Sequence, residues 1–469
     1  MINLSLSDIA HQVNGTLSGD DLVISGVSTD TRAIAQNDVF IALVGPNFNG
    51  HIFANEARQK GAVAIIASEP VAAHMPVILV EDTKVALGLI GAYVKQQVNP
   101  KTVAITGSSG KTTVKEMTTA ILEQHGKVLS TAGNFNNDIG VPLTLLRLEP
   151  EHEFAVIEMG ANHLGEIAYT TNLVKPDVAT IVNAAASHLE GFGSLFGVAR
   201  AKSEIFKGLG KTGVALLNYD SQFYDFWHGK LSNEFIYSFS LEAKPGGKAD
   251  YTASQVDLAF NGCAHFIMHT PIGEMNIGLT IPGMHNVSNA LLAAALAINV
   301  GASLENVRDG LATMKNVKGR LDVKQLSEQV RVLDDSYNAN VASVTAAIKL
   351  LASYQGRRIL VLGDMAELGD KARHYHEEVG ELAQREGIDM LYTLGVLSQS
   401  ASSVYGDHGQ HFSEIEPLLT ALYGELQHID EDITILVKGS RSARMERVVT
   451  ALEASPVGKL DRSMRQMAC

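Results

Sequence analysis

Residues 103–113, Val-Ala-Ile-Thr-Gly-Ser-Ser-Gly-Lys-Thr-Thr, constrain this chain more than any other stretch. Val103 to Thr106 have strand character and run into a glycine-rich turn, after which Lys111-Thr112-Thr113 open an amphipathic helix reaching about Gln124. That order suits a phosphate cradle. Gly107 and Gly110 let backbone N–H groups turn inward around Ser108 and Ser109, and the helix N-terminus adds partial positive charge. Lys111 is placed to reach terminal phosphates, and the Thr112 hydroxyl is a ligand suited to Mg²⁺. Ile105 stands where the first glycine of G-x-x-x-x-G-K-[ST] would fall, so the loop reads as the shorter form Gly107-x-x-Gly110-Lys111-Thr112. A plain glycine turn before a helix is the alternative, and the strand–turn–helix order argues for nucleotide binding.

A chain of 469 residues has room for two to four domains. No apolar run reaches the ~18–20 residues of a membrane span. The N-terminus has no basic stretch followed by an apolar core, so no signal peptide is expected. Cys263 and Cys469 are too few and too far apart for a disulfide framework or a zinc site, which fits a reducing cytoplasm. The net charge of −14 argues against a nucleic-acid surface and leaves room for a local basic pocket. From about Ser455 the sequence reads as a polar tail.

Three zones follow one another. Residues 1–97 carry short strands at 39–43, 62–67 and 77–80, with a helix between Phe53 and Lys60, and read as a small α/β domain. Residues 98–320 start at the phosphate loop and alternate strands (154–157, 179–182, 214–217) with helices. They include an antiparallel stretch at 246–281 and a closing helix at 286–299. Residues 321–469 place strands at 330–333, 358–362, 390–394 and 433–437 between helices. That alternation predicts an α/β protein whose third domain is a doubly wound, Rossmann-like parallel sheet. Ligands of such sheets sit beyond the carboxyl ends of the strands.

Several polar groups fall at such ends. Glu158 follows the apolar run 154–157 and is placed to hold Mg²⁺, unless it is an ordinary loop carboxylate. His188 lies in a small-residue loop, Ala184 to Gly193, where a lone histidine is as readily structural as functional. Lys202 lies on the apolar stripe Val198, Ile205, Phe206, Leu209 of a predicted helix over 198–209. A snorkelling lysine would explain that position. A buried lysine with a depressed pKa would also explain it. Its neutral amine can take up CO₂ as a carbamate, whose oxygen is a hard Mg²⁺ ligand. Asp335 suits ribose hydroxyls and Tyr337 suits a base, yet the run Asp334 to Asn340 reads equally well as an Asx-rich helix cap. Lys438-Gly439-Ser440-Arg441 follows a strand and is expected to open a helix, giving an anion site.

These pieces, in this order, resemble the Mur ligases, the ATP-dependent amide-forming enzymes of peptidoglycan synthesis. The likeness runs from Ser28-Thr29-Asp30-Thr31-Arg32 to Lys438-Gly439-Ser440-Arg441. Its more specific motifs are Gly133-Asn134-Phe135-Asn136-Asn137, Glu158-Met159-Gly160-Ala161, His188 to Gly193, Asp335 to Asn340 and Gly363-Asp364-Met365. By this resemblance the chain is expected to join D-alanyl-D-alanine to UDP-N-acetylmuramoyl-tripeptide.

The resemblance implies that Ser28, Thr29, Asp30, Arg32, Asn49, Gly50 and His51 hold the UDP-sugar end. Lys111, Thr112 and Glu158 would hold ATP and one Mg²⁺, with His188 and carbamylated Lys202 at a second Mg²⁺. Asn289 would meet adenine, and Arg320, Asp335 and Tyr337 would reach ATP from the third domain. Asn134, Asn137, Asn338, Lys438, Ser440 and Arg441 complete the expected substrate contacts. The third domain would take the dipeptide. A monomer in the cytoplasm, without nucleic acid or membrane span, is expected. Two departures stand beside recognition loops: Asn49 replaces an acidic residue expected before Gly50-His51, and Val341-Ala342 replaces an expected Pro-Asp. The rivals are a sister ligase adding a single amino acid and a nucleotide-regulated binding module, which would turn over nucleotide without an amine acceptor.

Overall fold

The computed structural model describes residues 1–455 apart from 73, 233–234, 244–245, 315–316 and 427–430, so the expected tail beyond Ser455 lies outside the described residues. Three large sheets, of five, nine and six strands, follow one another along the chain and define three α/β domains. The first has the strand order Thr16–Ser18, Val77–Leu79, Ala64–Ala67, Asp38–Ile41, Gly26–Ser28, parallel except at Thr16–Ser18. Among the described residues no helix is long and apolar enough to cross a membrane.

The second sheet has nine strands. Its parallel part runs Val128–Ser130, Phe154–Glu158, Lys101–Thr106, Val178–Ile181, Val214–Asn218, Phe235–Ser240 and Tyr251–Leu258. Cys263–Thr270 and Gly273–Pro282 extend it antiparallel. The phosphate-loop strand lies inside this sheet and is covered on both faces, which is why it reads as an unbroken apolar run. Val103 and Ile105 pack with Val114, Met117 and Ile121 of the helix Lys111–Leu122, while Ala104 faces the opposite core. The helix Met284–Ile298, apolar nearly all round, is buried against the phosphate-loop helix. Val128–Ser130 and Phe235–Ser240 were not among the expected strands.

The third sheet runs Asp322–Gln325, Val330–Asp335, Ile433–Lys438, Arg357–Gly363, Met390–Leu394, Gly409–Phe412, with only the first pair antiparallel. The expected doubly wound sheet is there, with two added edge strands.

Two expected helices differ. The predicted helix over 198–209 is an α-helix only over Leu195–Lys202 and tightens to a 3-10 helix over Ser203–Gly208. The Ser203 hydroxyl turns back onto the Arg200 carbonyl at 2.6 Å. Glu204 leaves the helix surface to accept from the Gly165 and Ala168 N–H groups, fixing the tighter turn. Second, Lys438–Arg441 does not open an α-helix: Arg441–Ala443 form one 3-10 turn, and the helix Glu446–Ala454 starts later. The Arg444 backbone at φ 51° interrupts the path, so this segment has no helix N-terminus to offer an anion.

Candidate active site

The phosphate loop bends at Gly110, whose φ of 77° favours glycine and whose missing side chain admits Asn289: a Cβ there would lie 3.0 Å from Asn289 Oδ1. Asn289 in turn donates to Asn286 Oδ1 at 2.8 Å, and Asn286 donates to the Pro282 carbonyl at 2.7 Å, so the helix Met284–Ile298 holds this amide rigidly at the loop. Asn183, at the end of the neighbouring strand, accepts from the Ser109 N–H at 3.0 Å and donates to the Ser109 carbonyl at 3.2 Å. Ser108 donates to the Ala185 carbonyl at 3.0 Å and receives the Ser187 hydroxyl at 2.9 Å. Lys111 Nζ donates to the Gly107 carbonyl at 2.8 Å, curling over the cradle. Burial pushes the Lys111 pKa down and Arg320 adds to this, while Glu158 opposes it.

Glu158 is 2% exposed at the carboxyl end of its strand. Its carboxylate accepts from the Thr112 hydroxyl at 2.9 Å and from Asn136 Nδ2 at 2.9 Å, and its N–H donates to the Thr131 hydroxyl at 3.0 Å. Among the described residues no lysine or arginine forms an ion pair with it. A buried carboxylate and a hydroxyl, side by side at a phosphate loop, are the donors a hard divalent cation takes. The residues therefore fit Mg²⁺. Among the described residues no three His, Cys, Asp or Glu side chains form a metal-binding group, so further ligands at this site have to be of other kinds.

Lys202 is 2% exposed, and among the described residues no hydrogen bond or ion pair holds its ammonium. Burial, then the nearby Lys111, push its pKa far below the usual lysine value, which favours the neutral amine. The snorkelling alternative fails on this burial. His188 has a left-handed backbone at φ 51° and caps the short helix Leu189–Phe192. Its imidazole lies within electrostatic reach of Lys111 and Lys202, and burial pushes its pKa down against the pull of Glu367. Lys111, Lys202 and His188, far apart in sequence, are thus one neighbourhood.

The cleft above the loop is shared by two domains. Ser108 to Thr113, Asn183, His285 and Asn289 line it from the second domain, and Arg320, Asp335, Asn338, Asn340 and Lys438 from the third. Two third-domain residues are not arranged as the sequence suggested. Asp335 makes a short ion pair with buried Lys438, which also donates to the Asn338 carbonyl at 2.9 Å. Lys438 is thus committed to the cleft wall. Tyr337 does not line the cleft: Arg320 covers its ring at 4.5 Å and Arg441 stands 5.8 Å away. Ser440 is buried against the Ser442 hydroxyl, and Arg441 pairs with Glu446 at 3.1 Å. The Asx-cap reading holds for Asn340, which caps the helix Val341–Ala352.

The N-terminal segments do not reach this cleft. Ser28 accepts from the Asp30 N–H at 3.3 Å and donates to its carbonyl at 2.9 Å, and the Arg32 guanidinium grips Asp30, holding that carboxyl down at about 2. Thr29 lies between them, half-buried. Gly50 starts a 3-10 turn, and both ring nitrogens of His51 are occupied. Nδ1 meets Asn49 Oδ1 at 2.6 Å and Nε2 accepts from the Ser68 N–H at 2.9 Å. Glu69, which donates no sequence signal, brings a carboxylate 3.6 Å from His51 and binds Asn49 at 3.1 Å. The acidic partner missing at Asn49 thus arrives from the loop after the strand Ala64–Ala67. Asn134 is exposed in the loop before the helix Gly140–Leu145, and Asn137 accepts from the Gly140 N–H at 2.8 Å.

Family models match three consecutive parts of the chain: the Mur ligase family catalytic domain over residues 23–106, the Mur ligase middle domain over 105–297 and the Mur ligase glutamate ligase domain over 319–441. The chain belongs to the Mur ligase family. It is 48% identical to the UDP-N-acetylmuramoyl-tripeptide–D-alanyl-D-alanine ligase of Escherichia coli (strain K12), over 97% of this chain and 99% of the relative. The ligase of the same name from Bacillus subtilis (strain 168) is 35% identical over 97% and 100%. Among solved structures, MurF from Acinetobacter baumannii matches with a TM-score of 0.92 at 35% identity, covering 97% of this chain and all of the other. MurF ligase from Thermotoga maritima, solved in complex with ADP, matches with a TM-score of 0.82 at 26% identity over 92% and 98%.

Proposed function

We infer that this chain is the ATP-dependent, ADP-forming ligase that joins D-alanyl-D-alanine to UDP-N-acetylmuramoyl-tripeptide in peptidoglycan precursor synthesis. The observation that carries the reading is full-length identity of 48% to a ligase of that name, joined to a two-domain cleft over the phosphate loop. A cytoplasmic monomer is the form this reading proposes. Residues 1–97 bind the UDP-sugar, 98–320 bind ATP, and 321–469 present the dipeptide.

ATP lies in the cleft with its phosphates on the Gly107–Thr113 loop and its adenine toward Asn289. Arg320 and Asp335 approach from the third domain, and Tyr337, clamped by Arg320, sets the pose of that arginine. The tripeptide's terminal carboxylate attacks the γ-phosphoryl group in line, giving an acyl phosphate and ADP. Lys111 offsets charge spread over the transferring oxygens. Thr112 and Glu158 would hold one Mg²⁺, and His188 with Lys202, carbamylated, would hold a second. Bound there, the ions neutralise phosphoryl charge. The free amine of D-alanyl-D-alanine then attacks the acyl carbon, and a tetrahedral intermediate collapses to the amide with release of phosphate. Closure of the third domain over the loop excludes water, which would otherwise hydrolyse the acyl phosphate.

At the other end, Ser28 to Arg32 and Asn49 to His51 shape the UDP-sugar site, with Asn134 and Asn137 along the stem peptide. Ser440 and Arg441 take the dipeptide side, with Asn338 and Lys438 forming the wall between it and ATP. The test is phosphate release with UDP-N-acetylmuramoyl-tripeptide, with and without D-alanyl-D-alanine, and with L-Ala, D-Glu, L-Lys or meso-diaminopimelate in its place. Release that depends on the dipeptide supports the reading. Faster ligation of a single amino acid would mean a sister ligase.

A further inference from the structure

His188 Nδ1 is buried, and the polar group against it belongs to another domain: the carboxylate of Glu367 lies in close contact with that nitrogen. A second link lies beside it, where the Leu189 N–H donates to the Glu367 carbonyl at 3.0 Å. Both residues hold left-handed backbones, His188 at φ 51° and Glu367 at φ 62°, uncommon for side-chain-bearing residues. Two adjacent unusual turns therefore meet face to face across the interface between the second and third domains. Glu367 belongs to the loop after the strand Arg357–Gly363, and no sequence motif singled it out.

An imidazole can use only one ring nitrogen as a lone-pair donor. A carboxylate against Nδ1 keeps the proton there and leaves Nε2 as the donor. Metal-binding histidines are commonly oriented by such a partner. Here the partner comes from the domain that has to close over the phosphate loop. Besides Glu367, the titratable groups facing His188 are Lys111 and Lys202, and an ammonium on either acts against a protonated ring. Glu367 is thus the acidic group that sets how this ring is used.

We propose that Glu367 is a positioning residue that turns His188 into a metal-binding nitrogen only when the third domain is closed. This rests on the assignment of His188 to a Mg²⁺ ion. The domain movement and the completion of the second ion site become one event, so the site reaches full affinity only when water is already excluded.

The probe is Mn²⁺, counted by electron paramagnetic resonance on the full chain with a non-hydrolysable ATP analogue and UDP-N-acetylmuramoyl-tripeptide. Glu367→Gln keeps the size of the side chain and the backbone bond to Leu189, so folding and docking are preserved. It is expected to weaken one of two bound ions about tenfold or more, leaving the ion at Thr112 and Glu158 and the affinity for the analogue unchanged. His188→Ala should lose the same ion, and the double variant should bind Mn²⁺ as His188→Ala does. If Glu367→Gln binds both ions with wild-type affinity while His188→Ala loses one, the positioning role is wrong and the metal assignment stands. If His188→Ala retains both ions, the metal assignment fails and takes the proposal with it.

Discussion

The Asn340 amide donates to the Ser108 carbonyl at 3.2 Å, a hydrogen bond from the third domain into the phosphate loop of the second. The same side chain accepts from the Ser343 N–H at 2.9 Å and so caps the helix Val341–Ala352. One residue therefore starts a helix and holds the phosphate loop of the neighbouring domain.

Asn340→Asp separates those two tasks. Aspartate caps a helix as well as asparagine does, so stability should stay within ~0.5 kcal/mol of wild type. It has no donor for the Ser108 carbonyl and adds negative charge beside the phosphates. The KM for ATP should rise about tenfold, the size of one hydrogen bond of roughly 1.4 kcal/mol. Steady-state kinetics and urea unfolding measure the two effects. An unchanged KM would mean that the interdomain bond is incidental.

Lys111→Ala tests the cradle. Lys111 is the lysine of the loop, and its ammonium is held by the Gly107 carbonyl at 2.8 Å. Removing it leaves the transferring phosphoryl group without its nearest fixed cation, and kcat should fall by ~10²-fold or more. Folding should survive, because this half-buried lysine is not part of the apolar core. Product formation near the wild-type rate by a folded variant would reject the loop assignment.

How much of this was legible in the sequence depends on distance along the chain. The phosphate loop, the doubly wound third sheet and Glu158 at a strand end are local patterns, because buried parallel strands read as apolar runs. Asn136, Asn183, Glu69 and Glu367 carry no such pattern. Each acts by a contact with a residue 18 or more positions away, as Asn136 does with Glu158 at 2.9 Å. The fate of Lys438 was also hidden. Its strand places it beside Asp335 through the pairing of Val330–Asp335 with Ile433–Lys438, and only that register shows that the ammonium is paired. The helix expected to open at 438–441 is absent because the chain there makes one 3-10 turn instead.

A pH dependence follows from His376, which has no exposed surface. Its Nε2 accepts the Met365 N–H at 2.9 Å and its Nδ1 meets the Ala372 carbonyl at 2.7 Å, an arrangement that needs a neutral ring. Burial lowers its folded pKa, against smaller opposing effects of the Ala372 carbonyl and Asp364. A lowered folded value means that the stabilisation is present above the unfolded pKa of about 6.5 and is lost as pH falls below it. His376→Gln should cost ~1–2 kcal/mol at pH 7.5. The gap between wild type and variant should narrow on going to pH 5.5. Thermal unfolding of both proteins across that range measures it, and a constant gap would place the neutral ring elsewhere in the balance.

Lys202 gives the sharpest prediction. It is buried and unpaired among the described residues, with a pKa driven far down by desolvation and by Lys111. A neutral amine at neutral pH is the form that adds CO₂: nitrogen attacks carbon, one proton leaves, and a carbamate anion results. The product is an anion that Lys111 and a metal ion can both neutralise. Lys202→Ala should therefore lose nearly all ligase activity while unfolding close to wild type, since truncating a lysine beside Ser203–Gly208 removes no apolar core residue. A short carboxylic acid such as formate or acetate, added at millimolar concentration, should restore part of the rate by standing in the vacated space. In the wild-type protein, ¹³C-bicarbonate should give one carbamate resonance that Lys202→Ala lacks. A free amine in the wild-type protein under bicarbonate, together with unimpaired ligation by Lys202→Ala, would show that this lysine serves the fold alone.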